Sequence, residues 1–87
     1  MAKKLVLVYI MAHLETGKEE NVLNALKKIK EVEKASLTYG VFDLCVQVGF
    51  TTMDDLSNFM YNTLRKIDGI KDTTTLISSK SYTASKS

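Results

Sequence analysis

Residues 4–12, KLVLVYIMA, have the composition of a β-strand but no polar side. Successive side chains of a strand point to opposite faces, and here both faces are apolar. One face carries Leu5, Leu7, Tyr9 and Met11, and the other carries Val6, Val8, Ile10 and Ala12. Such a strand is expected where both faces are covered. A chain of 87 residues forms one domain, so a layer of helices on one face leaves the second face to be covered by something else.

The same segment follows two lysines near the N-terminus, which superficially resembles a signal peptide. The apolar run is only about eight residues long and no small-residue cleavage site follows it, so we interpret it as the first strand. No other stretch approaches the roughly 18–20 apolar residues of a membrane span. We therefore expect a soluble, cytoplasmic protein without a membrane partner.

Two segments have helical spacing of apolar residues, each preceded by a capping-box pattern at residues 16–19 and 52–55. The first helix is predicted to present Val22, Leu23, Leu26 and Ile29. The second is predicted to present Met53, Leu56, Phe59, Met60, Leu64 and Ile67. Asp68 and Gly69 are expected to end it, because glycine accepts the left-handed conformation beyond a helix C-terminus.

Three further strands are predicted, at residues 32–39, 42–50 and 70–80, with Gly40 and Val41 as the turn between the first two. In the strand at 42–50, the face that carries Phe42 and Leu44 is apolar, whereas Asp43 begins the opposite face. The domain is expected to span residues 1–80, and residues 81–87 form a polar tail.

An internal repeat links these elements. LKKIKEVEK at residues 26–34 aligns without gaps on LRKIDGIKD at residues 64–72. Two helix–turn–strand units, each preceded by a strand, predict an α+β, ferredoxin-like βαββαβ fold with a four-stranded antiparallel sheet and both helices on one face. The other face would be bare in a monomer. We therefore predict a homodimer that stacks sheet to sheet, a dimeric α/β barrel.

The composition excludes several kinds of site. Cys45 is the only cysteine and His13 the only histidine, which disfavours a disulfide framework, a zinc site and a His-based catalytic pair. We interpret Cys45 as a small buried apolar residue and His13 as a polar residue at a strand end. The third strand lacks the aromatic run of RNA-recognition domains, and no helix-turn-helix segment supports direct DNA reading. We expect no catalytic residue, metal or cofactor, and no direct nucleic-acid contact.

The residues alone leave two interpretations of Asp43. Beside a glycine turn, an aspartate commonly accepts hydrogen bonds from nearby backbone amides. The alternative is an acceptor for an ammonium or amide group at a crevice between subunits. The run Thr73–Thr75 is equally open, because threonine is a good strand residue and also offers hydroxyls to a small polar ligand.

Two motifs resemble the effector domain of the Lrp/AsnC family, the leucine-responsive and asparagine-responsive regulators. GVFDL at residues 40–44 resembles the family's Gly-x-aromatic-Asp-aliphatic turn. IDGI at residues 67–70, followed by DTTT at 72–75, resembles its closing hydrophobic-x-Gly-hydrophobic and Thr-x-Thr stretch. The resemblance covers about residues 4 to 80. The resemblance does not extend to the family's N-terminal helix-turn-helix domain, and it therefore implies a stand-alone effector domain, sometimes called a RAM module.

The resemblance implies a function and a site. In that family the domain dimerises sheet to sheet, dimers join into octameric or decameric rings, and amino acids bind in crevices between dimers. The implied ligand-binding residues here are Tyr39, Gly40, Val41, Phe42, Asp43, Thr73 and Thr75. Tyr39 stands where the family commonly has Thr or Ser, so its phenol would reshape or fill the pocket. The implied role is a non-enzymatic amino-acid-binding and oligomerisation module that modulates full-length regulators; the alternatives are a structural scaffold without ligand and a small dimeric α/β-barrel enzyme.

Overall fold

A computed structural model describes residues 6–82 and 84. Four strands and two helices follow one another along the chain: β1 (Val6–Leu14), α1 (Glu19–Lys27), β2 (Val32–Leu37), β3 (Leu44–Phe50), α2 (Met53–Asn62) and β4 (Ile70–Ile77), with a short 3-10 helix, Leu64–Lys66, after α2. The strands form one antiparallel sheet in the order β2-β3-β1-β4. The predicted ferredoxin-like βαββαβ fold is confirmed, with the first and third strands at the centre. No helix among these residues has the length and apolar character that crossing a membrane requires.

One of the two apolar sides of β1 faces the helices. Its even-numbered side chains are buried: Val8, Ile10, Ala12 and Leu14. They belong to a core that also contains Val22 and Leu26 of α1, Leu56 and Phe59 of α2, Leu64, and Leu44, Val46, Val48 and Phe50 of β3. The rings of Phe50 and Phe59 pack with centroids 5.2 Å apart. The helices and this face of the sheet therefore form the hydrophobic core.

The opposite face of the sheet, which we call the open face, carries the odd-numbered residues of β1 and β3. Leu7, Tyr9, Met11, Cys45 and Gln47 are all half-buried and none belongs to the core. The register of β4 adds Leu76 beside Tyr9, and its side chain is 52% exposed. The open face thus presents a row of apolar side chains in the single chain.

The two capping-box predictions have different outcomes. The Thr52 hydroxyl accepts a hydrogen bond from the Asp55 amide at 3.1 Å, so the N-cap of α2 is confirmed. The prediction for the first helix is wrong at Thr16: α1 begins at Glu19, and Lys18 occupies the N-cap without a side-chain hydrogen bond. Gly17 has a φ of +88° and its amide donates to the Glu19 carboxylate at 3.0 Å, so residues 16–17 form a turn instead.

Several boundaries also differ from the predicted ones. β1 extends to Leu14, while residues 4 and 5 of the predicted strand lie outside the described residues. β2 ends at Leu37 and β3 begins at Leu44, so the connection is a six-position loop at residues 38–43 instead of a two-residue turn. α2 ends at Asn62 and the chain continues through the 3-10 helix to Gly69, which has a φ of +111°. β4 ends at Ile77, before the predicted end at residue 80.

Candidate functional site

The 38–43 loop is closed at its base and open at its tip. Thr38 closes the base twice: its amide donates to the Asp43 carbonyl at 2.8 Å and its hydroxyl donates to the Phe42 carbonyl at 2.7 Å. Gly40 turns the tip with a φ of +133°, a conformation that glycine adopts readily. The side chains on either side of it, Tyr39 and Val41, are 105% and 79% exposed. The loop therefore holds an apolar tip away from the rest of its own chain.

Asp43 connects this loop to the end of β1. Its amide donates to the Ala12 carbonyl at 3.0 Å, and its carboxylate oxygen Oδ2 accepts from the Leu14 amide at 2.9 Å. The pairing of β1 with β3 ends at Ala12 and Leu44, so the Leu14 amide lies beyond the last paired residues of these two strands. The carboxylate satisfies that amide, which belongs to β1 and not to the turn beside Gly40, so the role is structural but differs from the local turn role of the first interpretation of Asp43. Its second oxygen accepts no hydrogen bond from the residues that the structure describes.

His13 lies beside Asp43 and is held at both ring nitrogens. Nδ1 lies 2.8 Å from Oδ1 of Asp72, and Nε2 lies 2.8 Å from the carbonyl oxygen of Val41. The ring also packs against Phe42, with centroids 5.0 Å apart and planes 33° apart. The hydrogen bond to Asp72, followed by the one to Val41, raises the pKa of His13 above its ordinary 6.5. The same contact with His13 lowers the pKa of Asp72 below its ordinary 3.8.

The structure therefore gathers a cluster that sequence reasoning did not find. We call it the His13 cluster; it consists of His13, Val41, Phe42, Asp43 and Asp72. The sequence predicts only a polar strand-end residue at His13, and it gives Asp72 no role beyond its place in the DTTT stretch. They meet because β1 and β4 pair with His13 opposite Asp72. A histidine at one strand end and an aspartate at the start of another were the available signal, but the register that joins them is not visible in the sequence.

Thr73 and Thr75 lie on the other side of the sheet from the His13 cluster. They pair with Ala12 and Ile10, which face the core, and they stay exposed because β4 is an edge strand. Thr73 also lines a cavity of about 180 Å³ between the end of α2 and β4. Within one chain, the structure brings residues 39–43 together but does not bring Thr73 and Thr75 to them. A larger open cleft of about 570 Å³ lies at the opposite end of β3, beside Gly49, Phe50 and α2.

The fold and the 38–43 loop can be compared with known proteins. The sequence model of the Lrp/AsnC ligand binding domain matches residues 7–87. The chain belongs to the Lrp/AsnC ligand-binding domain family. The predicted membership of this family is thereby confirmed.

Relatives of this Lrp/AsnC domain include transcriptional regulators. An uncharacterized HTH-type transcriptional regulator of Pyrococcus horikoshii is 32% identical over 72 residues, which cover 83% of this chain and 46% of that protein. The chain thus spans about half the length of the curated relatives it matches. The crystal structure of FFRP-DM1 superposes with a TM-score of 0.81 at 35% identity, covering 85% of this chain and 99% of that one. The transcriptional regulator NMB0573 of Neisseria meningitidis, solved as its L-Met complex, shares the fold with a TM-score of 0.83 at 22% identity, covering 97% of this chain and 61% of that one.

Proposed function

We propose that this Lrp/AsnC domain binds a free amino acid in a crevice formed where the 38–43 loop meets a neighbouring subunit, and that the bound amino acid changes subunit assembly. The observation that carries the amino-acid assignment is the state of Asp43. One carboxylate oxygen is held by the Leu14 amide, and the other accepts no hydrogen bond from the described residues. A fixed carboxylate with an open oxygen is a suitable acceptor for the ammonium group of an amino acid.

The exposed tip of the loop supports a site between subunits. Tyr39 and Val41 contact little of their own chain, so Tyr39 fills no pocket there and its phenol would meet the ligand or the neighbour. Gly40 and the half-buried Phe42 would line the same side of the crevice. Thr73 and Thr75 lie on the other side of the sheet, so a contact from them to this ligand would come from a different subunit.

The open face supports the first step of assembly. Its row of half-buried apolar residues, among them Leu7, Tyr9 and Met11, would be covered if a second copy stacked sheet on sheet. Dimers of this kind would then join through the 38–43 loops into a ring, for which we propose an octamer or a decamer. Full-length regulators of the same family are the proposed partners. We propose no enzymatic activity, no direct nucleic-acid contact and a cytoplasmic location.

A thermal-shift screen of the amino acids tests the binding proposal. L-methionine is the first probe, because the Neisseria meningitidis regulator of the same fold was solved with it. A ligand at 100 times its dissociation constant stabilises the bound form by about 2.7 kcal/mol, which raises the melting temperature of a domain of this size by roughly 10–20 °C. The matched control is Asp43→Asn, which keeps an oxygen for the Leu14 amide and removes the charge that an ammonium group needs. If no amino acid shifts wild type, the sensor proposal fails.

One observation favours a second candidate, a scaffold that binds nothing small. The hydrogen bond from the Leu14 amide already gives the Asp43 carboxylate a structural role. A scaffold would form the same oligomer, and associate with a regulator of the family, without any response to amino acids. Light scattering with and without the amino-acid mixture separates the two, since only the sensor changes its assembly.

A further inference from the structure

The contacts of His13 require a particular protonation state. Both of its hydrogen-bond partners, the Asp72 carboxylate and the Val41 carbonyl, are acceptors, and each lies 2.8 Å from a ring nitrogen. A neutral imidazole carries a hydrogen on one nitrogen only, whereas an imidazolium carries one on each. The geometry is therefore that of a histidine cation that donates to both partners.

The charges around His13 support the same state. Among the described residues, the charged groups that act on it are Asp72 of β4 and Asp43 of the 38–43 loop, and both are carboxylates that favour the cation. The remaining neighbour, Phe42, is a neutral ring. Lys71 acts on Asp72 and favours its ionised form, which keeps that carboxylate an acceptor. His13 is exposed at the strand end, so it exchanges its proton directly with solvent.

We propose that His13 is a pH-dependent strut that fixes the tip of the 38–43 loop to β4. As an imidazolium it links the Val41 carbonyl, through its ring, to Asp72. When it loses a proton to solvent, one nitrogen becomes an acceptor facing an acceptor, so one of the two bonds is lost. The hydrogen that remains stays on Nδ1, because the charged Asp72 carboxylate is a stronger acceptor than the Val41 carbonyl, so the bond to Val41 is the one that is lost.

The release is confined to the tip. The base of the loop is closed by the two hydrogen bonds that Thr38 donates, and Asp43 remains bound to Ala12 and Leu14. None of these bonds uses the His13 ring. Deprotonation therefore frees residues 39–41, including the exposed side chains of Tyr39 and Val41, while the fold and the loop base stay unchanged.

Nuclear magnetic resonance of the ligand-free protein tests the strut. Because His13 is the only histidine, its ring signals titrate without overlap from another histidine. We expect a midpoint above 6.5, and we expect the Gly40 and Phe42 amide signals, which flank Val41, to change with the same midpoint. Asp72→Asn should move both midpoints downward together. The matched control is Asp54→Asn, an exposed carboxylate of the first turn of α2, which should leave both midpoints in place.

Two results would overturn the strut. One is a His13 midpoint at or below 6.5 in wild type; the other is a Gly40 and Phe42 response that does not follow His13. Neither measurement involves an amino acid, so failure of the strut and failure of the proposed function are distinguishable. One consequence does rest on the proposed function. The affinity of wild type for an amino acid bound beside the loop tip should change as pH crosses the His13 midpoint, and the affinity of His13→Gln should not.

Discussion

The Leu14 amide donates a 2.9 Å hydrogen bond to the Asp43 carboxylate, at the point where β1 and β4 shift register. This bond joins the end of the 38–43 loop, directly before β3, to Leu14, the last residue of β1. It places the carboxylate at the rim of the open face while satisfying an amide that lies beyond the last residue pair of β1 and β3. Asp43 therefore has a structural role that does not depend on any ligand.

Replacing Asp43 by alanine should destabilise the ligand-free domain. The substitution leaves the part-buried Leu14 amide without its acceptor, which costs about 1–3 kcal/mol. Asp43→Asn retains an oxygen at the same position and should lose much less. Urea unfolding of both variants measures the difference. Equal losses in the two variants would show that the hydrogen bond to Leu14 contributes little.

Gly69→Ala should be the most damaging glycine substitution among those in loops. A Cβ there would lie 2.7 Å from Cβ of Lys18 and 2.9 Å from Cγ2 of Val22, in addition to a φ of +111°. We expect a loss of about 2–4 kcal/mol, from overpacking together with backbone strain. Gly40→Ala is the control, because its φ is also positive but, apart from its chain neighbours, no atom of the described residues lies within 4 Å of the added methyl group. It should lose only the backbone part, about 1–2 kcal/mol, and thermal unfolding of the pair separates the two contributions.

Met11→Glu should prevent dimer formation. It places a charge in the middle of the open face, between Cys45 of β3 and Thr74 of β4, and burying an unpaired carboxylate between two sheets is strongly unfavourable. Ser57→Glu, on the exposed side of α2, adds the same charge away from that face. Light scattering should give a monomer for the first variant and the wild-type mass for the second. A Met11→Glu protein that keeps the wild-type mass would place the interface elsewhere.

The His13–Asp72 pair should make stability depend on pH at both ends of a window. Because the pKa of His13 is raised above 6.5, its contribution is fully present below pH 6.5 and is lost as pH rises through the raised pKa. Because the pKa of Asp72 is lowered below 3.8, its contribution is present above pH 3.8 and is lost as pH falls through the lowered pKa.

The measurement for this pair is urea unfolding of wild type and His13→Gln from below pH 3.8 to well above pH 6.5. The stability difference between the two proteins should be largest between pH 3.8 and 6.5 and should shrink at higher pH. Asp54→Asn serves as the control for loss of an unrelated surface charge. A difference in the free energy of unfolding between wild type and His13→Gln that stays constant from about pH 5 to about pH 9 would contradict the prediction.

The sequence carried enough information for the architecture because its signals are local and periodic. The two apolar faces of β1 and the alternation in β3 identify central strands, and the repeated helix–turn–strand unit gives their order. Local patterns were less decisive at helix starts. Thr16 and Thr52 both begin a capping-box pattern, yet only Thr52 caps a helix, since Gly17 turns the chain beside Thr16 and α1 begins only at Glu19.

The site depended on information that local patterns do not hold. His13 and Asp72 are 59 positions apart in the chain, and they meet only through the β1–β4 register. The same register decides that Thr73 and Thr75 share the side of the core with Ala12 and Ile10. The length of the 38–43 loop was also hidden, because it is the closure by Thr38 that stops Phe42 from joining β3.

The 38–43 loop contains residues that fix its backbone and residues whose side chains face outward. Thr38 and Asp43 hold it in place, whereas the side chains of Tyr39 and Val41 point away from the chain that carries them. Substitutions at positions 39 and 41 therefore change what the surface offers to a neighbour or a ligand at little risk to folding. In evolutionary terms, substitutions at the tip can change the preference for a ligand or a neighbouring subunit one residue at a time while the fold stays the same.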